Sequence, residues 1–374
     1  MGAMNELLNT AVIHDLADRA RRQGRDGAAD ALAAIDEHLL APLSLRERVD
    51  LVAGRLVAHT TDFDETARMA HGLLDDPGYE GWAIWPVGEA AVTRALEDGS
   101  PAELDAALEL LRRLTSRLTA EFPIRRLLEA DLDRSIAAAL GWTADGNEHV
   151  RRLASEGTRA YLPWAIRVRA LLARPGVTVP ILDRLYRDPS DYVRRSVGNH
   201  LNDLSRDAPE LVVATAARWM SAPDRNTASV VRRGLRTLVK RAHPGALALL
   251  GVRAVEFTVG SIRLAADDVL LPGELAFTAD IGNPTEQDAM AVVDYVIHYR
   301  KADGRLAPKV FKLLTGQIPA GGRITVSKTH TLRQMTTRVH YPGEHAIELQ
   351  VNGIRHGYTV FTLSDVAHDA PSTS

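Results

Sequence analysis

His149-Val150-Arg151-Arg152, Tyr192-Val193-Arg194-Arg195 and Val230-Val231-Arg232-Arg233 begin three stretches of the chain in the same way. They lie 43 and then 38 residues apart, close to the roughly 40–47-residue period of HEAT-type helical repeats. A repeat of that length cannot bury its apolar face alone, so it stacks on its neighbours. Stacking brings the three segments side by side and sets a row of arginines along one surface. Such a row suits a partner that is long and negatively charged.

The helical register supports this reading. Positions i, i+4, i+7 and i+8 share one helix face. In the middle repeat they are Arg195, Asn199, Asn202 and Asp203; in the next, Arg233, Thr237, Lys240 and Arg241; in the first they include Arg152, Glu156 and Arg159. The opposite faces are apolar: Val193, Val197, Leu201 and Leu204, then Val231, Leu235, Leu238 and Val239. For one helix, a polar stripe held by i,i+4 pairs is ordinary solvated surface. Three stripes in register point instead to a common ligand. Adjacent arginines diverge by about 100° on a helix, so Arg152, Arg195 and Arg233 are favoured as phosphate contacts over Arg151, Arg194 and Arg232. Arg159, Asn199, His200, Lys240 and Arg241 join them on the same track, Asn199 and His200 either as phosphate contacts or as caps and pairs within the stripe.

The net charge of −3 over 374 residues hides a strong asymmetry. Residues 148–251 hold 18 Arg/Lys against 9 Asp/Glu, a local +9 that leaves −12 for the remainder. Local charge sets the field a polyanion meets, so the basic island outweighs the chain total. Cysteine is absent, which excludes disulfides, thiolate nucleophiles and Cys-ligated metals. The 13 histidines are scattered without ligand spacing, and no metal or cofactor is expected. No apolar run approaches the ~18–20 residues of a membrane span, and no signal-peptide core is present at the N-terminus. A cytoplasmic monomer is expected. Phosphate-binding glycine loops, His-Glu-x-x-His and Gly-x-Ser-x-Gly are all missing.

Two folds are legible along the chain. Residues 1–251 read as an all-α HEAT-like repeat solenoid and residues 252–366 as an all-β immunoglobulin-like sandwich, followed by a disordered tail at 367–374. Ser44 with Glu47 forms a capping-box pattern, and Ser100-Pro101 places an N-cap and a proline at N1. Single helices are predicted over 124–140 and 163–173. After Gly251 the period changes to two: Val293, Tyr295, Ile297 and Tyr299 alternate with polar neighbours. Asp303-Gly304 and Asn352-Gly353 mark hairpin turns, and seven or eight short strands are expected. Arg300, Lys301, Arg305, Lys309 and Lys312 crowd one hairpin, where they either meet DNA or protect a strand edge by charge.

Three acids and one tryptophan stand out against the basic island. Glu156 and Asp203 fall on the polar stripe, where a carboxylate repels phosphate. Each is either a salt-bridge partner (Glu156 with Arg152, Asp203 with Arg206 or Arg195) or a group that faces a cationic substrate. Glu121 opens Glu121-Phe122-Pro123-Ile124-Arg125-Arg126, where a helix N-terminus would favour it for structural reasons. Trp164, in Leu162-Pro163-Trp164-Ala165, would by itself be expected to pack in a core.

At these residues the chain resembles a known family. His149-Val150-Arg151-Arg152-Leu153-Ala154-Ser155-Glu156-Gly157, Leu162-Pro163-Trp164-Ala165 and Ser196-Val197-Gly198-Asn199-His200-Leu201-Asn202-Asp203 are similar to the AlkC branch of the AlkC/AlkD alkylpurine DNA glycosylases. The resemblance runs over residues 5–251 and is strongest in 120–251; some AlkC proteins also carry a C-terminal immunoglobulin-like domain. It implies a monofunctional DNA glycosylase that grips duplex DNA and excises cationic methylated bases, chiefly 3-methyladenine and 3-methylcytosine, for base excision repair. It further implies catalysis without an enclosing base-flipping pocket, with Glu121, Glu156, Trp164 and Asp203 as active-site residues.

The chemistry agrees with that implication. A cationic methylated base leaves without a general acid, and cleavage builds positive charge on the deoxyribose. A carboxylate about 4 Å from that charge contributes about 4 kcal/mol at an effective dielectric of ~20. Trp164 would offer a π-face to the cation. The rivals are a non-catalytic HEAT-repeat scaffold for an acidic protein and a DNA-binding protein without excision. A scaffold has no need of acids and a tryptophan on a basic track; in the DNA-binding rival the acids are salt-bridge partners.

Overall fold

Ser100 and Pro101 open a helix as the capping rules require, the Ser100 side chain accepting the Glu103 N–H at 3.3 Å. Ser44 does the same for the helix that follows it, its N–H donating to Glu47 Oε2 at 2.8 Å. The computed structural model describes residues 5–241, 243–252, 255–333 and 339–365; the tail expected at 367–374 lies outside the described residues. The chain divides between Gly234 and Leu235 into two compact units.

The first unit is all α-helix and of the HEAT-like repeat class. Its helices are α1 (Thr10–Arg22), α2 (Asp26–Ala33), α3 (Glu37–Leu40), α4 (Leu45–Ala58), α5 (Phe63–Leu74), α6 (Ile84–Asp98), α7 (Pro101–Leu114) and α8 (Ile124–Ala130). Then come α9 (Leu132–Trp142), α10 (Glu148–Glu156), α11 (Arg169–Ala173), α12 (Val179–Leu185), α13 (Asp191–Leu204), α14 (Pro209–Met220) and α15 (Thr227–Lys240), whose final turns belong to the second unit. The apolar stripe of α13 is fully internal at Val193, Val197 and Leu201. α13 and α15 approach closely because glycines sit at the crossing. A Cβ at Gly198 would stand 2.7 Å from Arg233 Cδ, and one at Gly234 2.6 Å from Leu201 Cδ2.

An aspartate two residues ahead of three helix entries repeats with the arginine pairs. Asp145, Asp188 and Asp224 each accept, through Oδ1, the N–H of the residue two positions on, at 2.8–2.9 Å. The first arginine of a pair ties back to this loop. Arg151 donates to the Asp145 carbonyl at 3.0 Å, and Arg194 to the Asp188 carbonyl at 2.5 Å. Arg151 also grips the Asp188 carboxylate with two hydrogen bonds, linking one repeat to the next.

Two expected helices are corrected. The run 124–140 is broken at Asp131, whose extended backbone (φ −144°) lets its side chain cap α9 through the Arg134 N–H. The run 163–173 is helical only over Arg169–Ala173; residues ahead of it form a loop in which Trp164 holds a left-handed backbone, φ 61°.

In the second unit, α16 (Pro244–Leu249) precedes β1 (Thr258–Val259), β2 (Arg263–Leu264), β3 (Asp268–Leu271), β4 (Gly273–Gly282), β5 (Ala289–Arg300), β6 (Leu306–Ile318), β7 (Arg323–Leu332), β8 (Gly343–Val351) and β9 (Ile354–Asp365). One sheet joins β1, β2 and β7 to β4; the other runs β3-β9-β8-β5-β6. Phe277, Tyr295, Ile347 and Phe361 lie in the core they share. Asn352 and Gly353 both have positive φ (45° and 84°), the backbone a two-residue hairpin needs. α16 packs Leu247 with Val252 and Val292 in a smaller cluster. The sequence missed β2 and β3, which are too short to show a period.

Candidate active site

Three carboxylates come together from three successive parts of the helical unit. Glu121 precedes α8, Glu156 ends α10 and Asp203 lies in the last turn of α13; they are 9%, 6% and 3% exposed. Two arginines join them. Arg152 Nη1 pairs with Glu121 at 2.6 Å and Nη2 reaches Glu156 at 3.5 Å. Arg159 Nη1 pairs with Glu156 at 2.5 Å while its Nε donates to Asp203 at 2.8 Å. Each of the three carboxylates is thus held by a guanidinium, in a network that spans the three elements.

Neutral groups fix the carboxylates in place. Ser196 Oγ donates to Glu156 Oε2 at 2.6 Å, and Thr119 Oγ1 donates to Glu121 Oε2 at 2.9 Å. The Arg152 guanidinium lies 5.0 Å from the centroid of the Tyr192 ring. Burial pushes the Glu121 and Asp203 carboxyls above the usual carboxylate range, against the pull of Arg152 and Arg159 respectively. Burial opposes the charge of Arg159 too, but Glu156 and Asp203 outweigh it and its pKa is raised.

The loop after α10 is held from beneath by a residue that pattern reading passed over. Arg125 is fully buried and donates to the carbonyls of Ile166 at 2.6 Å, Arg159 at 2.8 Å and Gly157 at 3.3 Å. Its interior position lowers its pKa to about 10. Gly157 lets the start of α8 pack close against this loop: a Cβ there would meet Ile124 Cγ2 at 3.0 Å. The braced loop carries Trp164, which is 80% exposed. The core packing weighed for this tryptophan is therefore wrong, because the left-handed turn throws its ring outward.

Several expected phosphate contacts are placed otherwise. Arg152 and Arg159 are engaged by the acids rather than free. The ion-pair partner of Asp203 is Arg159, from the stripe of the preceding repeat, and not Arg206 or Arg195. His200 is fully buried, its Nδ1 at 2.8 Å from the Ser155 carbonyl, and burial depresses its pKa to about 3; it faces a helix interface, not a ligand. Asn199 is half-buried. The stripe of α13 thus starts in solvent at Arg195 and ends in the interior at Asp203.

Arg195 and Arg233 are exposed. With Arg194, Asn226 and Ser229 they line one concavity, and Asp191 supplies its acid, paired to Arg195 Nε at 2.5 Å. Lys240 and Arg241 are exposed but belong to the second unit. In that unit the Arg305 side chain pairs with Asp303, and Lys309 Nζ lies 5.4 Å from the Phe311 ring centroid. Among the described residues, no group of three His, Asp or Glu side chains is placed to hold a metal ion, and no helix is long and apolar enough to cross a membrane.

Comparison with known proteins places these features in a family. Residues 258–365 match a family described as the C-terminal Ig-like domain of the uncharacterised protein YhaZ. YhaZ of Bacillus subtilis (strain 168), itself uncharacterised, is 34% identical over 253 residues, 67% of this chain and 70% of that protein. The structure of Pseudomonas fluorescens alkylpurine DNA glycosylase AlkC, bound to DNA containing an abasic site analog, superposes with a TM-score of 0.86 at 32% identity. That match covers 96% of this chain and 99% of the other. The chain belongs to the AlkC family of HEAT-like repeat proteins, in the form that carries a C-terminal immunoglobulin-like domain.

Proposed function

We propose that this protein is a DNA glycosylase that hydrolyses the N-glycosidic bond of cationic alkylated bases in duplex DNA, 3-methyladenine and 3-methylcytosine among them. The observation that supports the reading is the meeting of Glu121, Glu156 and Asp203, the last two from the most basic segment of the chain, in one ion-paired cluster. A carboxylate held there repels phosphate and attracts a sugar on its way to an oxocarbenium ion. The cluster's ion pairs hold the acids in place before reaction, so little reorganisation is needed as charge develops.

Asp203 and Glu156 stabilise the cationic sugar, and Asp203 orients the attacking water; Glu121 supports them through Arg152. Trp164 lays its exposed ring against the sugar or the cationic base. The leaving base is already positive, so no general acid is required. An open, exposed tryptophan supports reaction without drawing the nucleotide into a closed pocket. Residues 1–251 are assigned the catalytic role and residues 252–366 form the second domain. Arg195 and Arg233 grip the backbone; Arg195→Ala should weaken binding to any duplex and lower the salt slope by about 1.

Incubation with methylated duplex DNA, followed by chromatography of the released bases, tests the reading. Free 3-methyladenine or 3-methylcytosine is expected. DNA binding with no released base would leave a non-catalytic binding protein.

A further inference from the structure

The arginines of the basic segment differ in whether their charge is spoken for. Arg151, Arg152 and Arg159 pair with buried carboxylates, while Arg194 and Arg195 share the exposed Asp191, which leaves part of their charge open to a ligand. Arg167 and Arg206 do neither. Both are exposed, and among the described residues neither has a carboxylate within ion-pair distance. They are nonetheless held. Each guanidinium carbon lies 4.4 Å from the centroid of the same ring, Tyr161. The two charges are therefore no farther apart than twice that distance.

The arrangement is anchored on both sides. The Tyr161 hydroxyl donates to Asp207 Oδ1 at 3.0 Å, which fixes the ring in its plane. Arg125 holds the carbonyls of Arg159 and Ile166, on either side of Tyr161 and immediately ahead of Arg167. A guanidinium that lies on a ring spends its flat face there and keeps its in-plane N–H groups free. Those groups match the geometry of phosphate oxygens. The location is equally specific: Arg206 follows Asp203 by one helical turn, and Tyr161 follows Arg159 by two residues in the loop that carries Trp164.

We propose that Arg167 and Arg206, stacked on Tyr161, form a phosphodiester clamp for the DNA strand beside the nucleotide under attack. The clamp deepens the glycosylase reading and rests on it. It supplies what Arg152 and Arg159 cannot, since their charge is committed to the acids. Its ligand is backbone phosphate of any sequence, and its effect is to hold the sugar in register with Asp203 and Trp164.

The test uses the full chain and a duplex with a central tetrahydrofuran abasic analogue, with Kd measured across a salt series. Arg167→Gln and Arg206→Gln should each lower the salt slope by about 1 and weaken binding by roughly five- to tenfold at 0.1 M salt. Tyr161→Leu keeps both charges, so binding should weaken while the slope stays near the wild-type value. Replacing the flanking phosphates one at a time by neutral methylphosphonate should weaken the wild type at the gripped position and leave the double variant Arg167→Gln/Arg206→Gln unaffected there. Arg218→Gln, in an exposed pair with Asp183, measures the effect of net charge alone. Wild-type slope and affinity in Arg167→Gln and Arg206→Gln, or losses no larger than those of Arg218→Gln, would overturn the clamp while the functional reading stood. Failure of the wild type to bind the duplex would remove both.

Discussion

Asp203 carries the sharpest prediction at the scale of single residues. Asp203→Asn keeps the shape and removes the charge, so DNA affinity should persist while excision of 3-methyladenine falls at least a hundredfold, measured as released base under single-turnover conditions. Full activity would remove Asp203 from the mechanism. The pH dependence follows from burial, which lifts Glu121 and Asp203 above the ordinary carboxylate range. Lowering the pH therefore protonates them sooner than it would a free acid. The excision rate should fall on the acid side at a pH above the usual ~3.9–4.3; an acid limb at or below that range would rule out control by these groups. That Glu121, Glu156 and Asp203 come together was legible from flanking motifs that resemble a family, and the Glu156–Arg152 pair from their i,i+4 spacing. Arg159 as the partner of Asp203 was not legible. It sits just past the end of α10, where helical periodicity no longer says which way a side chain points.

Elements were readable where local chemistry decides them and obscure where tertiary contacts do. Capped starts such as Ser100-Pro101 follow local rules. The loop after α10 does not: its residues look helical, but a buried guanidinium holds its carbonyls in another path. Arg125→Met should leave those carbonyls unsatisfied at about 1–3 kcal/mol for each one that water cannot reach. We expect a loss of roughly 3 kcal/mol in urea unfolding and faster tryptic cleavage at Arg159 and Arg167 under native conditions. Unchanged stability and cleavage would mean that the loop holds itself. In the first two repeats the second arginine faces the site or the open groove, while the first is spent on the loop carbonyl six residues before it. Asp145 and Asp188 at that spacing were the available signal for this division of labour.

For the whole molecule, the switch from a helical to a two-residue period was enough to separate the two folds. The shortest strands and the position of the compact-unit division inside α15 were beyond a periodicity argument. Charge is similarly segregated, and the basic hairpin of the second unit offers a test. Lys301→Gln/Arg305→Gln/Lys309→Gln in the full chain should weaken DNA binding and flatten its salt dependence. An unchanged slope would assign those charges to protection of the strand edge.

Trp164 occupies a backbone conformation that costs an L-residue with a side chain roughly 1–2 kcal/mol, and its ring recovers little of this because it faces solvent. Under the proposed mechanism, folding and chemistry want different amino acids at this position. Trp164→Gly should melt higher than the parent, by calorimetry, and repair less, whereas Trp164→Ala should lose the repair without the gain in melting temperature. Selection for thermal tolerance alone would therefore be expected to erase this tryptophan, and its survival in a library screened only for excision would measure how much robustness is given up for the aromatic contact that the proposed mechanism assigns to it.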